Sequence, residues 1–457
     1  MSKANELCPA RQLLGRFYRN ERGNVAVIFT FAITPILLLM GSAIDYTRAT
    51  NARAAMQAAL DTTVLMISKD AANLTSAQIT SKADSYFKAL YTHSEVLNVS
   101  TTAVYTPPSG SNAAKLVMTG GGKVNTQFMK IAGFPTLDLK TGATATWGNT
   151  KLRVALALDV TGSMNSDGKL AAMKTSAKSL IDTLKQSSNA TGDVYVSIVP
   201  FAQMVNVGTA NKNASWIDWS DWDENYGSCN RSQYVTKSQC EGNNRNWTVE
   251  NHNNWDGCVT DRNQPYDTTK DAPTTTATKF TAVKYEWNGL NICPSQILPM
   301  TSLYSATDVL LVKTKIDLLV ANGGTNQPIG MHWGWMSLQQ TLPLNAPAKD
   351  ANFNYTDAII LLSDGLNTID RWYGNGSSPS PQVDARQQIL CNNIRNTAVN
   401  GKTLVYTIQV NTDGDPESAI LKSCADPGQF YPTTTASGIS SAFAAIGASL
   451  SKLRLAK

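Results

Sequence analysis

The hydrophobic positions of this chain fall into three successive rhythms, and each predicts a different kind of structure. The first is a run of 22 uncharged residues between Arg22 and Asp45, GNVAVIFTFAITPILLLMGSAI. At about 1.5 Å per residue a helix of that length reaches roughly 33 Å, enough to cross a bilayer. The apolar positions then thin to Ala52, Ala55, Met56, Ala59, Leu60, Thr63, Val64 and Ile67, spaced i, i+3, i+4. That spacing puts them on one face, so the helix is expected to continue as an amphipathic stalk with a stripe of small residues.

Residues 71–150 read as a small α+β unit. A helix is expected around Ser76–Tyr91, then strands at Ser100–Tyr105, Lys115–Met118 and Leu137–Trp147. Pro107-Pro108-Ser109-Gly110 and Gly120-Gly121-Gly122 are the expected breakers. Nothing in this unit suggests chemistry, and it reads as a spacer.

The third rhythm begins at Leu152. LRVALALDV, VYVSIVPFA, DAIILLSDG and TLVYTIQV are short continuous apolar runs, and they alternate with amphipathic stretches such as GKLAAMKTSAKSLIDTLK, VDARQQILCNNIRNTAV and ISSAFAAIGASLSKLRL. Strands apolar on both faces between helices predict an α/β fold, a doubly wound, mainly parallel Rossmann-like sheet. Ligands of such sheets bind at the carboxyl ends of the strands. The chain is therefore expected to divide into a cytoplasmic basic N-terminus (1–22), a transmembrane helix (23–45), a helix plus small α+β spacer (46–150) and the α/β domain (151–457). The last carries an insertion at about 205–304.

That insertion is rich in Asn, Asp, Thr and Trp. Six of the ten tryptophans lie in it: Trp216, Trp219, Trp222, Trp247, Trp255 and Trp287. Packing of a small lobe is the favoured reading; exposed aromatics forming a recognition surface is the alternative. Of the seven cysteines, Cys8 stands alone before the apolar run, which leaves six beyond it. An even set suits disulfides in an oxidising compartment. Cys229, Cys240, Cys258 and Cys293 would form two staples in the insertion, with three pairings open, and Cys391 would pair with Cys424. No CxxC occurs, and His93, His252 and His332 are far apart, so structural zinc is not expected.

Charge adds direction. The N-terminal residues carry Lys3, Arg11, Arg16, Arg19 and Arg22 against Glu6 and Glu21, which by the positive-inside rule keeps the N-terminus cytoplasmic and sends the bulk outside the inner membrane, to the periplasm or cell exterior. A signal peptide cut after Ala43 is the alternative; the length of the run and the unbroken helical pattern favour an anchor. A net charge of +5, without a basic block, gives no reason to expect nucleic acid.

RNERGNVAVIFTFAITPILLLMGSAIDYTRA, with basic residues, a GNVAVIF opening and Asp-Tyr just past the apolar run, resembles the TadE/TadG-like segment of tight-adherence (Flp) pilus systems. The resemblance does not extend to prepilin-peptidase processing: cutting after Gly15 would put Glu21 at the sixth position, and no acidic residue follows Gly23 closely.

The candidate chemistry lies at strand ends. LRVALALDV runs into Asp159-Val160-Thr161-Gly162-Ser163, a carboxylate and two hydroxyls at alternate positions of a tight loop. Helix capping alone can place such residues there. Two later loops raise the motif above that: Gly323-Gly324-Thr325 between two helical patterns, and Ser363-Asp364-Gly365 ending the next apolar strand. Hard divalent cations take such oxygen donors. In this order the loops resemble the metal-ion-dependent adhesion site of the von Willebrand factor A (vWA) family, DxSxS, then a loop Thr, then a strand-end Asp, with Thr161 in place of the first Ser. The resemblance implies a divalent cation, Mg²⁺ first with Mn²⁺ or Ca²⁺ as alternatives, held by Asp159, Thr161, Ser163, Thr325 and Asp364. It also implies a coordination position completed by an acidic residue of a partner.

Asp-Val-Thr-Gly-Ser also resembles the phospho-acceptor loop of haloacid-dehalogenase-type phosphotransferases, but Asn367-Thr368 stand where a second carboxylate is needed and Asp370 lies too far along. No GxSxG supports a hydrolase. No enzyme activity is expected. Together the two resemblances imply a TadG-like envelope protein that supports Flp pilus assembly and adhesion by engaging other pilus-assembly or envelope proteins. A surface adhesin binding host or matrix ligands through the same ion is the alternative.

Overall fold

The structure is a computed structural model that describes residues 21–70, 74–107, 113–147, 150–188 and 190–455. The basic residues before Glu21, Cys8 and most of the Pro107–Gly110 turn lie outside the described residues. Two compact units divide between Thr146 and Trp147.

In the first unit α1, Glu21–Asp70, is one continuous helix of 50 residues that carries Pro35 inside it. Its Val27–Ser68 stretch is long and apolar enough to cross a membrane. Helix α2, Ser76–Leu90, starts with a capping box in which the Thr75 hydroxyl accepts from Gln78 N and the Gln78 side chain accepts from Thr75 N. Strands β1 (Val96–Thr106), β2 (Ala114–Asn125) and β3 (Thr136–Trp147) form a sheet in that order, with β1 and β2 antiparallel. The small-residue stripe of α1 is the face it packs on α2 and β2: Ala52, Met56, Ala59, Leu60, Thr63, Val64 and Ile67 are all buried, and Ala55 is half-buried at its edge.

One expectation fails here. Gly120-Gly121-Gly122 is not a breaker but lies inside β2. The reason is proximity. A Cβ on Gly120 would stand 3.1 Å from Met56 Sδ, and one on Gly122 would stand 2.5 Å from Val96 Cγ1. These glycines let α1 and the neighbouring strand come close, a use of glycine that turn statistics do not distinguish.

The second unit is built on a six-stranded sheet. Its elements are β4 (Thr150–Asp159), α3 (Lys169–Gln186), β5 (Val194–Phe201), β6 (Leu298–Ser302), α4 (Ala306–Asp317), α5 (Gln327–Ser337), β7 (Asn354–Ser363), α6 (Pro381–Arg395), β8 (Thr403–Val410), α7 (Ala419–Cys424), β9 (Phe430–Thr433) and α8 (Gly438–Leu455). The strand order is β6-β5-β4-β7-β8-β9, all parallel except the edge strand β6, which runs antiparallel to β5. This is the expected doubly wound α/β architecture, with the order reversing beside β4. Strand β6 belongs to this sheet, although the sequence pattern leaves its residues within the polar insertion.

Successive residues of β4 serve opposite faces. Leu152, Val154, Leu156 and Leu158 pack with α3, α4 and α8, whereas Ala155 and Ala157 pack with α5 and α6. The alanines match a close helix: a Cβ on Gly334 of α5 would already be 3.7 Å from Ala155 Cβ, and one on Gly330 would stand 2.3 Å from Phe201 Cδ1. Both layers together bury β4 from Leu152 and β7 from Ala358 to their carboxyl ends.

The polar insertion between β5 and β6 is a lobe of short pieces with a Trp-rich core. Trp216, Trp222 and Trp255 are buried, and Trp219 is half-buried with its ring stacked 3.8 Å from His252. Packing therefore accounts for this cluster. Cys229–Cys240 and Cys258–Cys293 staple the lobe, and Cys391–Cys424 joins α6 to α7 as expected. The lobe docks on α5 through Arg262, whose buried guanidinium donates to the Asp271 and Thr278 carbonyls and meets His332 Nε2 at 3.0 Å.

Candidate metal centre

Strand β4 delivers Asp159 to the carboxyl end of the sheet, fully buried. The chain turns at once because Thr161 N donates to Asp159 Oδ1 at 2.8 Å, a local bond that competes with further strand. A single 3₁₀ turn, Gly162–Asn165, follows. Within it Thr161 Oγ1 and Ser163 Oγ are 3.1 Å apart, and Ser163 Oγ donates to Asp364 Oδ1 at 2.8 Å. Ser363 Oγ, one residue earlier on β7, donates to Asp159 Oδ2. Four of the five predicted residues, Asp159, Thr161, Ser163 and Asp364, are thus in one hydrogen-bonded cluster.

Thr325 joins less directly. Its loop is gripped by the first one, with Gly162 N donating to Gly323 O at 2.9 Å and Asn322 N to Val160 O at 2.7 Å. Thr325 itself bonds through its backbone to the third loop: its N–H donates to Thr368 Oγ1, and its carbonyl accepts from Thr368 N and Ile369 N. No hydrogen bond among the described residues ties its hydroxyl to Asp159, Ser163 or Asp364.

The sequence reading missed Lys169. It is the first residue of α3, fully buried, with Nζ 2.7 Å from Asp364 Oδ2 and 2.7 Å from Asp413 Oδ2. A lysine in the first helical turn opposes the helix dipole, and that anomaly is visible in the sequence. Asp413, 244 residues away in the β8–α7 loop, is not signalled by any local pattern. Asp364 Oδ2 has no hydrogen bond of good direction, so the Lys169 contact is an ion pair and not a directed bond.

Electrostatics follow from this crowding. Burial, then repulsion from Asp364, pushes the Asp159 carboxyl up to about 7, despite the Ser363 and Thr161 bonds that favour its charged form. Burial raises Asp364 too, and Lys169 and Ser163 offset only part of it. Burial pulls the Lys169 ammonium down, but Asp364 and Asp413 outweigh it and leave the group above the ordinary lysine value. One ammonium is thus insufficient for two buried carboxylates. A hard divalent cation fits this set on three grounds: the donors are all oxygen, Asp364 Oδ2 lacks a directed donor, and the one ammonium does not offset the cost of ionising both carboxylates.

The insertion lobe buttresses the Gly323–Asn326 loop from outside. Tyr285 Oη accepts from Gly324 N at 3.1 Å, and Asn326 Nδ2 donates to Asp261 Oδ2 at 2.9 Å. Gly323 has φ +82°, and a Cβ there would collide with Tyr285 Oη. Arg371, on the loop after Asp364, donates to Asp261 O, Asn263 Oδ1 and Thr281 Oγ1.

Comparison with known proteins gives two kinds of likeness. Residues 23–66 match the family model described as "Putative Flp pilus-assembly TadE/G-like". A search of curated proteins found no significant match. Among solved structures, the chain is similar to the pilus adhesin SpaC from Lactobacillus rhamnosus GG (11% identity, TM-score 0.37, covering 78% of this chain and 35% of that one). It is also similar to the pilus adhesin RrgA from Streptococcus pneumoniae (11% identity, TM-score 0.34, covering 77% and 49%). The vWF domain of the type V pili tip protein Mfa5 from Porphyromonas gingivalis is a third (10% identity, TM-score 0.33, covering 68% and 98%). The chain spans about a third of SpaC and half of RrgA. At these identities and scores the fold is read from the chain's own strand order and not from the likenesses. Residues 23–66 are thus similar to the TadE/G-like Flp pilus-assembly family, and that likeness is confined to this segment.

Proposed function

We propose that this is a membrane-anchored envelope protein that supports tight-adherence (Flp) pilus assembly and adhesion through a metal-dependent, protein-binding vWA head. The observation that carries the metal reading is the buried pair Asp159 and Asp364, set among the Thr161 and Ser163 hydroxyls at the carboxyl ends of adjacent strands. The TadE/G-like match supports the pilus setting, the apolar length of α1 supports the single-pass anchor, and the basic residues that precede the apolar run support an N-terminus inside.

Asp159, Thr161, Ser163, Thr325 and Asp364 would hold the cation, with Mg²⁺ the first choice for an all-oxygen set. When bound, the cation supplies a Lewis-acid position open to the carboxylate of another pilus-assembly or envelope protein. Ser163 and Ser363 orient the two carboxylates from either side. Lys169 neutralises one of them, and the Tyr285 and Asp261 contacts fix the loop that carries Thr325.

The test is Asp159→Ala in the chromosomal gene, read as surface pili and adherence. Loss of pili with normal protein level supports assembly; normal pili and adherence would remove the claim. Purified head that binds matrix proteins reversibly to chelator, in a strain with normal pili, would favour the direct adhesin instead.

A further inference from the structure

The Phe128–Phe134 segment of the spacer unit is an apolar display with a fixed shape. Ile131 is 72% exposed, Phe134 60% and Phe128 39%, and Lys130, Ala132, Gly133 and Pro135 beside them are also exposed. The loop is not slack. Met129–Ala132 form a 3₁₀ turn closed by Ile131 N to Phe128 O and Phe134 N to Met129 O bonds. Its two ends are tied together at Thr126, whose hydroxyl donates to Phe134 O at 2.6 Å and whose N–H donates to Pro135 O at 3.0 Å. Apolar side chains held outward on a rigid loop are costly in water, and a folded spacer has no internal need of them.

The position of the loop along α1 indicates what covers it. Asp45, the residue that ends the uncharged run, is buried and accepts three backbone hydrogen bonds from this loop: Gln127 N at 2.9 Å, Phe128 N at 2.8 Å and Met129 N at 2.8 Å. Gly41, inside the apolar run and about 6 Å deeper by helix rise, lies directly under the Phe128 ring; a Cβ there would be 2.3 Å from Phe128 Cγ. The buried stripe of α1 thus reaches below Asp45 into the apolar run, and the loop it holds sits beside the residue at which that run ends.

We propose that Phe128, Ile131 and Phe134 form a wedge seated in the outer interface of the same bilayer that α1 crosses. Apolar side chains enter the region between headgroups and acyl chains, and Lys130 reaches the lipid phosphates, as in interfacial elements generally. Asp45 is then a positioning residue: it locks the loop to the helix at a set depth and so holds the spacer against the membrane surface. The inference rests on α1 being a membrane anchor, and continuity of the loop with the apolar run is what selects lipid as the occupant.

The experiment uses the full chain in phospholipid proteoliposomes, in a Cys8→Ser background that leaves only the disulfide-paired cysteines. Single cysteines at Ile131, Phe134, Leu37 and Ser76 carry an environment-sensitive fluorophore, and spin-labelled phosphatidylcholine is the quencher. Leu37 lies within the apolar run, and Ser76 opens α2, beyond the far end of the stalk. The proposal expects blue-shifted emission and strong loss of signal at Leu37→Cys, Ile131→Cys and Phe134→Cys, with none at Ser76→Cys. Quenching at Leu37→Cys alone overturns the wedge and leaves the anchor intact. Labels at 131 and 134 shielded from aqueous iodide but untouched by the lipid quencher overturn it in favour of a protein cover. No quenching at Leu37→Cys overturns the anchor itself and the wedge with it. Asp45→Asn keeps an oxygen acceptor but weakens the clamp, and should reduce quenching at 131 and 134 while leaving it unchanged at 37; unchanged quenching at all three removes the positioning role.

Discussion

Lys169 Nζ stands 2.7 Å from Asp364 Oδ2, and both groups are fully buried. The pair couples the first turn of α3 to the end of β7 and sets the charge of the candidate metal centre. Removing the ammonium leaves a buried carboxylate unpaired, a change that costs about 3 kcal/mol or more. Lys169→Met should therefore lower the unfolding midpoint of the head in EDTA, and saturating Mg²⁺ should restore most of the loss. Thermal melts with and without Mg²⁺ decide this; an equal deficit in both conditions counts against the ion pair as a charge balance for the cation.

Asp159 is predicted to be costly without a cation and necessary with one. Asp159→Asn removes its repulsion with Asp364 while keeping an oxygen toward Thr161 N. The metal-free head should melt at the same temperature or higher than the wild type, and the Mg²⁺-dependent rise should vanish. Titration calorimetry supplies the second readout, and undiminished Mg²⁺ binding by the variant would falsify the ligand assignment.

Asp261 provides a pH signature outside that cluster. Burial, then repulsion from Asp370, raises its carboxyl from 3.8 to about 7. A raised acid favours the protonated folded state, so its contribution is fully present below about pH 4 and declines as pH rises through 7. Asp261→Asn should remove that dependence, and the stability of wild type relative to the variant should fall between pH 4 and 7. Denaturant melts of the head across that range measure it; a constant difference rejects the assignment.

The Cys258–Cys293 disulfide encloses Asp261 and Tyr285, the lobe residues that brace the Gly324–Asn326 loop. Its loss should cost about 4 kcal/mol by loop entropy and also weaken Mg²⁺ binding. Removing Cys229–Cys240, which closes a loop bearing neither residue, should leave Mg²⁺ affinity nearly unchanged. Calorimetry on the two double alanine variants compares them, and equal losses of affinity would show that the lobe acts only through general stability.

Gly330→Ala tests the closeness of α5 to the sheet. Alanine ordinarily stabilises a helix interior by up to about 1 kcal/mol over glycine. Here its Cβ would stand 2.3 Å from Phe201 Cδ1, and overpacking of that kind costs about 1–3 kcal/mol. Net destabilisation in urea melts is expected; a gain in stability would mean that the helix has room to spare.

By itself, the sequence determined those features that a local period or a short motif can encode. The 22 uncharged residues before Asp45 and the stripe from Ala52 to Ile67 report directly how a helix partitions its faces. The continuous apolar runs ending at Asp159 and Asp364 mark strands buried on both sides, and their last residues must lie at the sheet's carboxyl edge. Only the tertiary structure decided which distant segments meet. It drew Lys169 and Asp413 around Asp364 and placed the Leu298–Ser302 strand antiparallel at the sheet edge. It also put Gly120 and Gly122 within a strand against neighbouring side chains, set Trp222 inside the lobe, and closed the Phe128 loop on Asp45. The physical reason is common to all of them. Periodicity records whether a position is buried, but the identity of its neighbour is fixed by chain reversals and long-range packing, to which local spacing is blind.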